Sequence, residues 1–372
     1  MSWPALESRL LTAALMSSCL VALTGCPEDK PGAAGAPART GAATAKPTVG
    51  ASASATKVEL PKAPPLPEDP PFFEPIPAPE DNKLTPEKVM LGKMLFFDKR
   101  LGKDDKWSCE SCHYADKGWA DGKKASTKAN GEDNKRHTPT LFNVAYATEW
   151  YWDGRKATLE AQILAAWTGQ MGGDTKAVAK KLTAIPEYDA HFQRAFGGSA
   201  NEERVVAALA SFVRTLRAGP TPWDKYDKGD KEAVGEEAVR GQKLFTGKAN
   251  CSLCHAPPMY SDFKYHNVGI GYGEGVEEPD PGRGKVTEKP EDTGAFKTPS
   301  LRGVTLHPPY FHDGSAATIE EAVDYMISGG NANEHLDEQM KKITLTDAEK
   351  SDLIAFLKAL EPEMKFEKPK LP

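Results

Sequence analysis

Two five-residue units carry the densest chemistry in the chain: Cys109-Glu110-Ser111-Cys112-His113 and Cys251-Ser252-Leu253-Cys254-His255. Thiols three positions apart can close a disulfide or donate to a metal, and the adjoining imidazole adds a third ligand. A disulfide or a thioredoxin-like pair leaves unexplained a histidine that falls twice at the same place. A closed zinc site needs a fourth ligand, usually from a second nearby pair, and these pairs stand 142 residues apart. The spacing C-x-x-C-H suits covalent haem: both thiols add to porphyrin vinyl groups, and the histidine behind them is placed to bind iron. Cys109, Cys112 and His113 thus define one c-type haem site, and Cys251, Cys254 and His255 a second.

The elements that must position these units are themselves repeated. Each motif follows a helix-like stretch ending in Gly-x-x-Leu-Phe, Gly92 to Phe96 and Gly241 to Phe245, which reads as an amphipathic helix packed on a haem. Downstream, "TPTLFNVAYATEWYWDGRKATLE" from Thr138 pairs with "TPSLRGVTLHPPYFHDGSAATIE" from Thr298. In both, Asp-Gly falls fifteen residues after the threonine and Thr-x-Glu twenty after it. Helical patterns continue in "DTKAVAKKLTAI", "NEERVVAALASFVRTL", "TIEEAVDYMISGG" and "TDAEKSDLIAFLKALE", several opened by capping residues, while strand signals are sparse. The expected fold is mainly α, with two cytochrome c-like haem domains from an internal duplication. They span residues 80–218 and 228–365, joined through Arg217 to Asp230.

The halves are unequal where it matters. Shifted by 160 residues, Met326 falls on Ala166, so only the second half offers a thioether there. Methionine opposite histidine favours a six-coordinate, low-spin iron of raised potential, suited to passing electrons. The competing reading is a methionine that only packs in its helix. An iron with no sixth protein ligand can bind a small oxidant, which makes the first haem, on His113, the expected reaction centre.

The chain's 372 residues carry a formal charge of -6 and 39% hydrophobic content, enough for about two domains with real cores and without the basic face of a nucleic-acid-binding protein. Residues 1–25 read as an export signal, with Arg9 ahead of an apolar run too short to span a bilayer stably. Its end, Leu23-Thr24-Gly25-Cys26, resembles a bacterial lipoprotein box in which Cys26 takes lipid; the alternative is an ordinary signal with an incidental cysteine. Residues 26–71, rich in Pro, Ala, Gly, Thr, Ser and Lys, read as a disordered tether. The expected setting is the periplasm, anchored to the membrane through lipidated Cys26.

Both C-x-x-C-H motifs, "TPTLFN", "YWDGR", "TPSLRGV", "PYFHDGSAATIEEAV" and Met326 closely resemble the bacterial di-haem cytochrome c peroxidase family, which includes the methylamine-utilisation di-haem enzymes. The resemblance covers roughly residues 80–362. It implies two covalently bound c-type haems, hydrogen peroxide as oxidant at the first, and electrons entering at the second from a small cytochrome c or copper protein. It places Trp152 between the haems and matches Gln162 to a distal glutamine. Gln170 falls where the family carries a proton-moving glutamate, and an amide cannot accept that proton. Either activity is weakened or a nearby carboxylate such as Asp174 takes the role.

Two further departures stand out. Many relatives cap the oxidised first haem with a histidine from the loop after the motif, and here residues 114–135 contain none, so the first site is expected open. His137 occupies the place of an asparagine that helps bind an interdomain calcium together with carbonyls from His307-Pro308-Pro309. Calcium prefers oxygen, so the cation is left open at His137, His307 and Pro309. His312 is expected near the second haem, as structural support. Lys297 reads equally as a propionate partner or a solvated lysine. His191, His266, His307 and His335 read as ordinary, and Trp119 and Trp150 as packing residues. A homodimer is left open.

Peroxide reduction leads the functional readings. The second is oxidation of a protein or organic substrate at the first haem, as in the methylamine-utilisation branch, whose second iron carries tyrosine; Met326 favours the peroxidase. The third is a non-catalytic electron-transfer cytochrome, to which Gln170 lends weight.

Overall fold

A computed structural model describes residues 58–372, so the expected export signal, Cys26 and the expected tether up to residue 57 lie outside the described residues. The chain runs α1 (Pro86–Phe97), α2 (Leu159–Ala165), α3 (Thr175–Thr183), α4 (Pro186–Phe196), α5 (Glu202–Arg214), α6 (Pro222–Asp227), α7 (Glu236–Thr246), α8 (Gly284–Thr287), α9 (Ile319–Ser328) and α10 (Asp347–Ala359). The described strands are β1 (Tyr265–His266) and β2 (Phe296–Lys297), an antiparallel pair. Helices begin where small hydroxyl and amide side chains can satisfy free N–H groups. Thr85 accepts from Lys88 N, Thr158 from Ala161 N, Asn201 from Arg204 N and Thr318 from Glu321 N. Thr346 and Glu349 close a reciprocal capping box at the start of α10.

Each haem motif is preceded by a helix crossing that only glycine permits. A Cβ on Gly92 would stand 1.9 Å from Ala208 O, and one on Gly241 the same 1.9 Å from Asp352 O. Helix α1 therefore meets α5 backbone to backbone, and α7 meets α10 in the same way. The glycine of Gly-x-x-Leu-Phe serves this crossing rather than contact with a haem.

Two separate hydrophobic clusters result. Leu91, Leu95, Phe96, Trp119, Leu209 and Phe212 belong to the first; Phe245, Tyr260, Leu353, Phe356 and Leu360 belong to the second. Between them, the Arg302 guanidinium pairs with both oxygens of Asp224 at 2.7 and 2.8 Å, each side chain being almost fully buried.

The expected tether ends too late in the sequence. Residues 58–71 pack onto the body: Arg194 donates to Leu60 O and Pro61 O, and Arg217 to Pro67 O and Glu68 O. Backbone carbonyls and prolines, not large apolar side chains, make this attachment, which is why composition concealed it.

Candidate haem sites

In both motifs a single 3-10 turn, Cys109–Ser111 or Cys251–Leu253, brings the histidine back under the first cysteine. His113 N donates to Cys109 O at 3.1 Å, and His255 N to Cys251 O at 2.9 Å. The imidazoles are oriented alike: His113 Nδ1–H donates to Trp119 O at 2.7 Å and His255 Nδ1–H to Tyr260 O at 3.0 Å. Each bond fixes the tautomer that leaves the Nε2 lone pair free for a metal. Burial lowers the pKa of both histidines, keeping them neutral, and pushes the Cys109 and Cys251 thiols up to about 12. All four motif cysteines are free. Cys109 packs on the first hydrophobic cluster and Cys251 on the second, so the pairs do not converge on one four-ligand site.

The helices that begin at the repeated Thr-x-Glu differ between the halves. Thr158 and Thr318 cap α2 and α9, and eight residues beyond each cap stand Ala166 and Met326. Helix α9 continues regularly through Met326 to Ser328, whereas after Ala165 the first half opens into a π-helical turn, Ala166–Gln170. Such turns are rare and frequent at functional sites. Gln162, one turn before Ala166, holds its Oε1 buried with no hydrogen-bond partner. The Gln170 amide faces Ala165 O and Ala166 O, and its nitrogen is assigned to that side because only there can it donate to them, at 3.3 Å each. Asp174 is exposed and accepts from Lys176 N and Ala177 N as the cap of α3. The neighbouring tyrosine, Tyr325, donates its hydroxyl to Val268 O at 3.0 Å.

A third group of predicted residues lies on the seam between the halves. Trp152 Nε1 donates to His137 O at 2.9 Å, and Trp152 O accepts from Lys297 N at 2.8 Å. His137 N donates in turn to His312 O at 2.7 Å, and the His312 ring stacks on Phe296 at 3.5 Å. Burial pushes His312 down to about 4. Arg136 reaches across with bonds of 2.8 Å to both oxygens of Asp280 and one of 2.6 Å to Asp153. Lys297 is neither solvated nor free: its ammonium donates to Glu149 O at 2.7 Å, and burial pushes its pKa down to about 8.

The calcium expectation does not fit these side chains. His137 donates through Nδ1 to Lys123 O at 2.7 Å, and its buried Nε2 has no partner; the buried Nε2 of His307 has none either. Burial and the nearby His137 push His307 down to about 4. The His137 and His307 side chains bring neutral imidazole nitrogens, unsuited to a hard cation, so calcium here would have to rest on the backbone carbonyls of His307, Pro308 and Pro309. No step below uses calcium.

His266, read as ordinary, is not. Its Nδ1 lies 2.6 Å from Asp337 and its Nε2 3.0 Å from Asp262, beside Cys254 of the second motif. The two carboxylates favour its imidazolium against the cost of burial. Asp337 is 71 residues away in sequence, so spacing carried no signal of the pair.

The residues fit two haems. Both imidazoles are tautomerically poised, the thiols are free, and the Gln162 amide oxygen is buried and unsatisfied in one half. Fold and site together define a helical protein with two like C-x-x-C-H motifs, each presenting an oriented histidine.

Comparison with known proteins agrees. Residues 86–232 match the family described as di-haem cytochrome c peroxidase. The chain is 40% identical over 297 residues to the methylamine utilization protein MauG of Methylorubrum extorquens, covering 78% of this chain and 82% of that one. Over 356 residues it is 36% identical to the cytochrome-c peroxidase IdrP1 of Denitromonas iodatirespirans, covering 87% and 93%. The crystal structure of a MauG-like protein associated with microbial copper homeostasis superposes with a TM-score of 0.73 at 31% identity, covering 80% of this chain and 95% of that one. The chain belongs to the di-haem cytochrome c peroxidase family; it is a two-haem peroxidase, an oxidoreductase.

Proposed function

We propose that peroxide reacts at the site built on His113 and that the site built on His255 and Met326 relays electrons to it, both haems being held covalently through the C-x-x-C-H thiols. The observation that carries this reading is the contrast at one helical position: Ala166, followed by a π-helical turn, against Met326 in a regular helix. The two halves, matched in caps, turns and histidine tautomers, read as an internal duplication whose copies diverged there. Bound haem supplies an iron that takes up peroxide at the first site and one that stores an electron at the second.

The chain's own residues supply orientation. The unpartnered Oε1 of Gln162 can accept from a peroxide hydroxyl, which fixes the oxidant without taking its proton. Gln170 cannot take it either, and Asp174 is committed to a helix cap, so proton movement falls to water. The two bonds that hold Trp152, its indole to the first half and its carbonyl to the second, support a role as the bridge between the centres. With Tyr325 engaged at Val268, Met326 would be the residue that holds the second iron, which favours peroxide reduction over the substrate oxidation of the MauG branch.

Electrons come from a small cytochrome or copper protein. Export and lipidation at Cys26 would hold the enzyme on the membrane facing the periplasm; Cys26→Ser should then move it to the soluble fraction. Peroxide-dependent oxidation of a reduced small cytochrome tests the activity directly. Turnover well above a free-haem control is expected, and turnover no greater than that control would refute the reading.

A further inference from the structure

The last residues of the chain return to the first haem motif. Beyond α10, residues 361–372 lay Met364, Phe366 and Leu371 against the first hydrophobic cluster, although α10 itself belongs to the second. The Phe366 ring stands 4.9 Å from Trp119, edge to face, and 5.3 Å from Phe97, stacked. Lys93 Nζ lies 4.5 Å from the same ring. Two residues on, Lys368 pairs with Glu110, inside the Cys109–His113 unit, and Pro372 O accepts from Arg100 at 3.0 Å.

Trp119 is the residue whose carbonyl takes the Nδ1–H of His113. Its backbone is left-handed, φ 61°, a strained state for a bulky side chain that persists only where packing over-determines it. Packing comes from Phe96, Phe212 and, at the shortest centroid distance, Phe366. The second half solves the same problem locally. There Tyr260, φ 51°, receives His255 and rests on Phe245 and Phe356, both from its own half. Only the first centre's histidine bond leans on the far end of the chain.

We infer that Phe366 and Lys368 are positioning residues for the His113 imidazole: the C-terminal strap holds the Trp119 carbonyl and the motif turn in register, and thereby sets the donor strength of the first haem's ligand. This rests on the reading that His113 binds the first iron. A firm hydrogen bond from Nδ1–H makes the imidazole a stronger donor and stabilises the ferric state. Loosening the strap should therefore raise the first haem's potential and leave the second's unchanged.

The test is a potentiometric titration of full-length holoprotein in four forms: parent, Phe366→Ala, Phe366→Tyr and Lys368→Gln. Haem counting confirms two attached groups in each, and thermal unfolding is followed in parallel. Phe366→Ala should move only the first potential upward and lower the ferrous iron–histidine stretching frequency. Phe366→Tyr should restore both, and Lys368→Gln, which leaves the aromatic cluster whole, should give a smaller shift in the same direction. Unchanged potentials and stretching frequency in Phe366→Ala and Lys368→Gln, even with a lowered unfolding midpoint, would overturn the inference by making the strap a stability element alone. A parent protein whose two haems titrate together with matching spectra would instead refute the underlying assignment of unlike centres.

Discussion

At the scale of single residues, the account turns on two side chains. Gln170 is an amide where a proton acceptor would serve, and its amide hydrogens face its own helix. Positioned acid–base groups contribute about 10² to 10⁴-fold in rate, so Gln170→Glu should raise peroxide turnover toward the lower figure, measured by steady-state oxidation of a reduced cytochrome. No increase would show that the loop does not present this position to the oxidant. Met326→Ala should lower the second haem's potential and slow electron entry while peroxide still binds the first; a potential equal to the parent's would remove methionine as the ligand. The two motifs were legible because haem attachment would demand particular atoms at particular spacings. His266 was not, because the carboxylate that joins the nearby Asp262 on its ring, Asp337, comes from 71 residues away.

At the scale of elements, the repeated Gly-x-x-Leu-Phe shows how a readable pattern can carry an unreadable reason. Periodicity placed α1 and α7 correctly, but only their crossing partners reveal that Gly92 and Gly241 lie against the carbonyls of Ala208 and Asp352. Overpacking a core typically costs about 1–3 kcal/mol, and here the opposing atom is backbone, which cannot swing aside. Gly241→Ala should therefore lose at least the upper part of that range, read by denaturant unfolding of the holoprotein, and a loss under about 0.5 kcal/mol, the level of an ordinary surface change, would refute the close crossing. The π-helical turn after Ala165 was beyond sequence reasoning: its residues look helical, and what distinguishes them is one shifted register of backbone bonds.

At the scale of the whole molecule, the two-core architecture followed from the repeat, while the seam that couples the cores did not. Arg136 joins Asp153 of the first half to Asp280 of the second. Burial alone would raise the Asp280 pKa, but the Arg136 guanidinium and the Gly282 amide overrule it and hold the carboxyl at about 2, against 3.8 for a free side chain. A carboxyl lowered by folding stabilises the native state above its unfolded pKa and loses that contribution as pH falls through its folded value. The seam should thus contribute about 2 kcal/mol near neutrality and weaken between about pH 4 and pH 2. Unfolding midpoints of the parent and Asp280→Asn should differ at pH 7 and converge toward pH 2; a constant difference across that range would contradict this.

Inequality of the two centres is the central claim, and electron paramagnetic resonance of the fully oxidised protein, with and without added azide, tests it most directly. Two unlike ferric signals are predicted, of which azide shifts only one, and that one should be missing from His113→Ala. Two matching low-spin signals, neither of them moved by azide, would contradict the account.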